Sequence, residues 1–505
     1  MRRWRRRGLA AINSEVRDGI VPAADGLTEL QGGPPAPLDT APRNYRIIAL
    51  IIACALFMEQ MDATVLATAL PTMARDLAVP VTSLSAALTA YLLALAVFIP
   101  ASGRLADRFG SKTVFGAAIL IFVIGSLLCG QATNLPFLIA ARFLQGVGGA
   151  MMIPIGRLVL LRSVAKADML SAMSWLIMPA LIGPIVGPPI GGYIVTYLDW
   201  RWIFYLNVPI GALGLVLTHR FIGQVRSEQV ARLDLPGFML SGASLGCLLV
   251  GFEMTSQRGG AVGALALIAA GLALGGAYVA YARRRPDAIL DLSLMKLRSF
   301  RLSVIGGSLT RITQGAHPFL LPLMLQVGFG MTAAASGTIT IASAIGSLLM
   351  KGLAPRILRR FGFRDSMSVA GLAGCLAYAL CGFLRPAWPI AAIFAAMMGA
   401  AFFMSFQFTA YNTIAYDETP PERMSSATSF YATFQQLTLS LGICLGAAGL
   451  HAGMRIGHRV TPALPDFTLA FLFVTSISAL ATIWNLRFSA DAGASMSGAR
   501  ARKAR

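Results

Sequence analysis

The chain has 505 residues, 56% of them hydrophobic and only 13% charged, with a mean hydropathy of +0.68. That balance excludes a soluble globular domain and places the sequence among polytopic membrane proteins. The net charge of +20 does not mark a nucleic-acid partner, because Lys and Arg collect in short loops between apolar runs, where the positive-inside rule expects them.

Residues 1–45 open on the basic run Met1 to Arg7 and continue polar, rich in Pro, Gly and Ala, without the apolar core of a cleavable signal. They read as a disordered basic cytoplasmic tail. Apolar segments long enough to cross about 30 Å of hydrocarbon then recur. They lie near 47–70, 82–102, 113–131, 136–157, 170–196, 203–222, 236–254, 262–281, 303–327, 333–352, 367–384, 388–411, 425–451 and 467–487, fourteen in all. A second basic tail, 489–505, ends the chain.

The first span carries Glu59 and Asp62, three apart and so on one helical face. Two carboxylates a few ångströms apart in a low-dielectric site resist joint ionisation, so one of them is expected to hold a proton near neutral pH. After the second span comes Gly103-Arg104-Leu105-Ala106-Asp107-Arg108-Phe109-Gly110-Ser111-Lys112. Here Gly103 allows close helix contact, Asp107 can pair with Arg108 or a basic group of a neighbouring loop, and Gly110 permits a tight turn. Arg142 lies inside the fourth span, where an unpaired cation costs roughly 3 kcal/mol. Its nearest chemically sensible partner is Asp62.

The fifth span contains Gly183-Pro184-Ile185-Val186-Gly187-Pro188-Pro189-Ile190-Gly191-Gly192. Gly183, Gly187 and Gly191 recur at i, i+4 and i+8, a groove for a neighbouring helix, and the prolines bend the helix beside it. Trp200 to Phe204, with Asn207, reads as a structural segment suited to the outer interface belt. In the ninth span Arg311, Gln314 and His317 form a polar stripe that can line a cavity. Gln435 in the thirteenth span is either packing glue or a substrate contact. The loop after the tenth span, Lys351 to Arg364, repeats the composition of the loop after the second. With spans seven and eight removed, six spans precede and six follow, as expected of parallel repeats.

Alternate loops hold 21 Lys and Arg and the intervening ones six. The first set is therefore expected in the cytoplasm, together with both termini.

These residues resemble the major facilitator superfamily, specifically its fourteen-helix drug:proton antiporter branch of the EmrB/QacA type, with an MdtD-like subgroup close along about residues 45–490. Gly103 to Lys112 is similar to the superfamily's G-x-L-a-D-r-x-G-r-k loop, with Ser111 in place of a basic residue. Arg142 to Ala150 resembles R-x-x-q-G-x-g-a, and Asp62 to Pro71 resembles D-x-T-x-x-N-x-A-L-P, with Ala67 where Asn is usual. Gly183 to Gly192 matches the antiporter motif G-x-x-x-G-P-x-x-G-G.

The resemblance implies an all-α major facilitator fold: two six-helix bundles, 46–222 and 302–488, with two extra helices and linkers over 223–301. It implies a bacterial plasma-membrane exporter that exchanges small amphipathic compounds or drugs for protons by alternating access. The implied roles are proton coupling for Asp62, Glu59 and Arg142, and a conformational latch at Gly103, Asp107, Arg108, Gly110 and Lys112. A hinge falls at Gly183, Gly187, Pro188, Gly191 and Gly192, and a substrate cavity at Gln145, Arg311, Gln314, His317 and Gln435. A dedicated exporter of an organic acid or metal chelate is the alternative.

An enzyme is not expected, since no HExxH or His–Asp cluster occurs among four histidines, nor a phosphate-binding loop. The six cysteines lie in apolar runs without a CxxC pair, so no metal is expected, and no cofactor is implied. Expected partners are the substrate, protons and the lipid bilayer, with a periplasmic adaptor left open.

Overall fold

The computed structural model describes residues 45–163, 169–224, 234–255, 261–285, 288–420 and 423–493. The tails expected at 1–45 and 489–505 lie, but for Tyr45 and residues 489–493, outside the described residues, as do Lys166, Arg226, Arg232 and Arg258.

The described residues form fourteen long helices. They are α1 (Tyr45–Asp76), α2 (Ser85–Phe109), α3 (Ser111–Gly130), α4 (Leu135–Ser163), α5 (Met169–Tyr197), α6 (Trp202–Phe221) and α7 (Leu235–Thr255). Then follow α8 (Ala261–Ala282), α9 (Arg298–Leu323), α10 (Ala333–Phe361), α11 (Phe363–Cys381), α12 (Ile390–Ile414), α13 (Met424–Ile456) and α14 (Leu464–Asn485). Each covers one of the apolar segments, because a backbone in hydrocarbon can satisfy its N–H and C=O groups only within a helix or a closed barrel. Eleven are long and apolar enough to cross a membrane by length and composition. The others, α5, α9 and α11, pack among them, with α9 carrying Arg298, Arg301 and Arg311 and α11 opening on Arg364-Asp365.

Prolines punctuate the helices at Pro71, Pro100, Pro154, Pro318, Pro322 and Pro355. After Pro318 and Pro322, α9 widens into a π-turn over Met324–Gly328, in which Phe329 N–H donates to Met324 O at 3.0 Å. Helix α6 is interrupted at Leu206, where Pro209 cannot donate to the preceding turn. The two basic loops share a corner: Gly110 between α2 and α3 has φ +89° and Gly362 between α10 and α11 has φ +75°. Both values favour glycine.

Helix α1 packs on α4, α5 and α6, and α4 on α2 and α3, while α9, α11, α12 and α14 form a similar group with α10 and α13. The two groups meet along α5/α10 and α2/α13, and the α7–α8 pair leans on α2 and α13. The apolar packing differs at the two ends of this seam. Toward the α1–α2 loop one core joins both groups, from Val65, Leu70 and Phe204 to Phe319, Leu325 and Phe467. Toward the α2–α3 loop the core is split among a cluster around Ile52, Phe115 and Ile155, another around Met350, Phe363 and Phe406, and a third in which Ala101 of α2 meets Phe300, Ala427 and Tyr431. The division leaves a cavity between the groups.

Candidate functional site

Asp62 sits at mid-length on α1, 2% exposed, facing α4 and α6. Arg142 of α4, 1% exposed, donates from Nη1 to Asp62 Oδ2 at 2.6 Å. Gln145 Nε2 (2.9 Å) and Asn207 Nδ2 (3.0 Å) both donate to Oδ1. Gln145 also donates to Ser126 Oγ at 2.8 Å, and Asn207 reaches the same oxygen at 3.3 Å. The guanidinium lies over the Tyr91 ring, 4.5 Å from its centroid. Burying an ion pair this deeply is sustainable only when the carboxylate's remaining lone pairs are met, and here two further donors, Gln145 of α4 and Asn207 of α6, meet them.

Glu59 lies one turn earlier, 4% exposed, within electrostatic reach of Asp62 and Arg157. Its Oε2 has no hydrogen-bond partner among the described residues. The structure thus brings Asp62, Arg142, Gln145 and Glu59 into one region of α1 and α4. Asn207 was assigned on sequence to a structural segment, and its position at the break in α6 turns its amide onto Asp62 instead. Within that segment Trp200 is 2% exposed, with Nε1 donating to Asp76 Oδ2 at 2.9 Å, while Trp202 is 54% exposed.

The cavity between the two groups measures about 690 Å³. Gln60 and Thr64 line it from the other side of α1, Gln314 and His317 from α9, and Pro184 and Pro188 from α5. Its wall continues to Arg157 on α4 and Lys351 on α10, both exposed, at the end that carries the α2–α3 loop. Of the side chains expected in a substrate cavity, Gln314 and His317 line it. Gln145, fully buried behind α1, does not, nor do Arg311 and Gln435. Arg311 donates from Nη2 to Tyr431 Oη at 3.0 Å and to Gln435 Oε1 at 3.4 Å.

At the opposite end the groups are in contact. Gln326 Nε2 donates to Thr68 O at 2.9 Å, and Ala334 N–H to Thr196 Oγ1 at 3.0 Å. The glycine run fits here through its lack of side chains. A Cβ on Gly183 would lie 3.1 Å from Gln60 Cβ, one on Gly191 2.6 Å from Thr68 Oγ1, and one on Gly187 would overlap Thr64 Oγ1, so this face of α5 lies against α1. Gly192 faces the Ala333 carbonyl, and Gly337 on α10 faces the Pro188 carbonyl.

At the α2–α3 corner, a Cβ on Gly110 would overlap the Gln224 amide, while nothing lies within 4 Å of one on Gly103. Lys112 Nζ donates to His219 O at 2.7 Å, and Gln224 Nε2 donates to Phe109 O (3.1 Å) and Thr113 Oγ1 (2.9 Å). The Arg108 guanidinium lies over Phe109, 5.6 Å from the ring centroid. Asp107 is half-buried on the last turns of α2. Gln224, which no motif marks, ties this corner to the chain leaving α6.

A further group went unread on sequence. Glu253, 8% exposed near the end of α7, accepts from Ser85 Oγ of α2 at 2.5 Å and from Cys444 Sγ of α13 at 3.3 Å. A glutamate in an apolar run signals a partner but does not say which.

The fold and the divided bundle define a multi-pass helical membrane protein built to pass a small molecule between its halves. The family model of the Major Facilitator Superfamily matches over residues 52–443 and 303–498. The chain belongs to that superfamily. It is 34% identical over 452 residues to "Probable transport protein HsrA" of Haemophilus influenzae, covering 89% of this chain and 97% of the relative. It is 35% identical over 429 residues to "Putative multidrug resistance protein MdtD" of Serratia proteamaculans, covering 84% and 88%. Among solved structures it resembles the nucleoside transporter NupG (TM-score 0.58, 15% identity, 88% of this chain and 100% of that one). It also resembles an auto-inhibited POT family peptide transporter (TM-score 0.61, 16% identity, 89% and 98%).

Proposed function

We propose that the chain is a proton-coupled exporter of small amphipathic compounds that works by alternating access. The observation that carries this is the double use of α1. One side of the helix bears Asp62, in a buried network with α4 and α6, and buried Glu59 one turn away, and the other bears Gln60 and Thr64 in the cavity wall. A proton arriving at or leaving the carboxylates changes what Arg142, Gln145 and Asn207 hold. Any resulting shift of α1 is felt by a molecule in the cavity. One proton falling through about 150 mV supplies roughly 3.5 kcal/mol, enough for a substrate gradient of about 300-fold.

The arginine bias of the loops assigns the α2–α3 end to the cytoplasm. In that orientation the cavity opens inward, the loading state of an exporter, while the α5/α10 glycine contacts close the outer side. The run Gly183 to Gly192 then serves as hinge and seal, and Gly103 to Lys112 as the corner that re-forms when the inner side closes. The descriptions of the MdtD relatives as multidrug resistance proteins support small amphipathic substrates.

Proton-driven accumulation of an amphipathic dye in everted vesicles tests the reading. Asp62→Asn is expected to lose coupled transport when compared at equal amounts of folded protein in the membrane, and unchanged coupled transport in that variant overturns the proposal.

A further inference from the structure

We infer that the compounds taken by this cavity carry a negative charge and that Arg311 supplies their counter-ion, an inference that rests on the exporter reading above and narrows it. Among the described residues the cavity wall has no Asp or Glu. Its formal charges are Arg157 and Lys351 at the mouth, and the remaining polar groups are hydroxyls, amides and His317. Arg157 has Glu59 within electrostatic reach, whereas Lys351 has no ion pair among the described residues. A mouth of one sign between low-dielectric walls concentrates ions of the other.

Arg311 stands one ring behind the wall. Its guanidinium carbon is 5.7 Å from the centroid of Phe408, which lines the cavity, and Gln314, one turn further along α9, lines it too. Arg311 is 1% exposed, and among the described residues no carboxylate lies within 4.0 Å of it. Its Nε, like that of Arg142, has no hydrogen-bond partner among the described residues.

Arg142 gives the comparison within the same molecule. Each arginine is 1% exposed and lies over a tyrosine, Arg142 at 4.5 Å from Tyr91 and Arg311 at 4.7 Å from Tyr431. Arg142 has a carboxylate at 2.6 Å and Arg311 has none. A buried guanidinium is costly without an anion, and aromatic faces and neutral acceptors offset only part of that cost. The place that Asp62 fills beside Arg142 is filled beside Arg311 by the substrate's own carboxylate or similar anion, reached by a rotation of Phe408. A weakly basic or cationic amphiphile meets no acid in this wall.

Three probes on one ring system test the inference with the purified full-length protein: naphthalene carboxylate, the neutral carboxamide and the methylamine. Binding is followed by probe fluorescence, and proton-driven uptake of each is measured in everted vesicles. The carboxylate is expected to bind about tenfold or more tighter than the other two, the worth of one charge-assisted contact. Arg311→Gln should bring the carboxylate down to the carboxamide and leave the other two unchanged. Lys351→Gln should lower carboxylate affinity a few-fold and flatten its salt dependence.

If the methylamine binds as tightly as the carboxylate, the inference fails, and that comparison needs no variant. It fails too if Arg311→Gln weakens all three probes equally, the mark of a clamp between α9 and α13. Arg311-dependent carboxylate binding without proton-driven uptake supports the anion site and sinks the antiporter reading. Proton-driven transport of the methylamine alone does the reverse.

Discussion

Asp62 is held by three donors, and removing any one has a different consequence. Arg142→Met leaves a carboxylate buried without its cation, a change of about 3–5 kcal/mol against folding. Asp62→Asn strands the guanidinium in the same way. The double variant removes both charges, so its loss of stability should fall well short of the sum of the two. Thermal unfolding of the four proteins in detergent measures the coupling, and additive losses would mean that the 2.6 Å pair is not a unit. Asn207→Ala removes one of two donors to Oδ1 and should cost about 1–3 kcal/mol. The pair itself was legible in the sequence, because an arginine inside a span must find an anion and few exist there. Asn207 was not. Its amide could face lipid interface, backbone or carboxylate, and only the interruption at Leu206 decides.

The helices were legible one by one, since each apolar run is long enough to span and each basic loop marks a turn. Which faces touch was legible only where side chains are missing. The spacing of Gly183, Gly187 and Gly191 announces a groove, and α1 occupies it. That Gly192 and Gly337 meet carbonyls across the seam needs the packing of α5 on α10. The two kinds of contact make separable predictions. Gly187→Ala meets Thr64 Oγ1, which is tied to Gln60 O at 3.1 Å and Met61 O at 3.0 Å. It should impair transport, and Thr64→Ala in the same protein should restore much of it. Gly192→Ala meets the Ala333 backbone, so no side-chain change relieves it. It should disfavour the state with the outer side closed, seen as lower labelling of a cysteine placed at Ser347 from the α2–α3 side.

The linker before α9 behaves differently with pH. Burial pushes the Asp291 carboxyl up, but hydrogen bonds from Ser293 and Arg423 outweigh it and hold the group below its ordinary value of 3.8. A lowered value means that its contribution is present above the ordinary carboxylate range and is lost only as pH falls through it. The Asp291–Arg423 tie should therefore persist over about pH 5 to 8. Asp291→Asn should leave the shape of the transport pH profile unchanged.

Over the whole molecule, the contacts that close one end of the seam are few and identifiable. Among the described residues they include the apolar core shared by both groups, the α5/α10 backbone approach, the Gln326–Thr68 and Ala334–Thr196 hydrogen bonds, and Glu253 of α7 reaching Ser85 on one side and Cys444 on the other. The α7–α8 pair is thus fastened to both groups at once, and Glu253→Leu should loosen it from each without unfolding the bundle. If the groups rock, the α5/α10 contact must break each cycle. Thr196 Oγ1 lies 3.0 Å from Ala334 N, so the two positions can be joined across that contact. Cysteines at Thr196 and Ala334, in a background where the six free native cysteines are replaced by alanine, should form a bridge on oxidation. The oxidised protein should still bind naphthalene carboxylate, since the cavity stays open at the other end, but should not transport it. Reduction should restore transport. Full transport in the oxidised protein would show that the halves need not part at this point, and the glycines there would then serve packing alone.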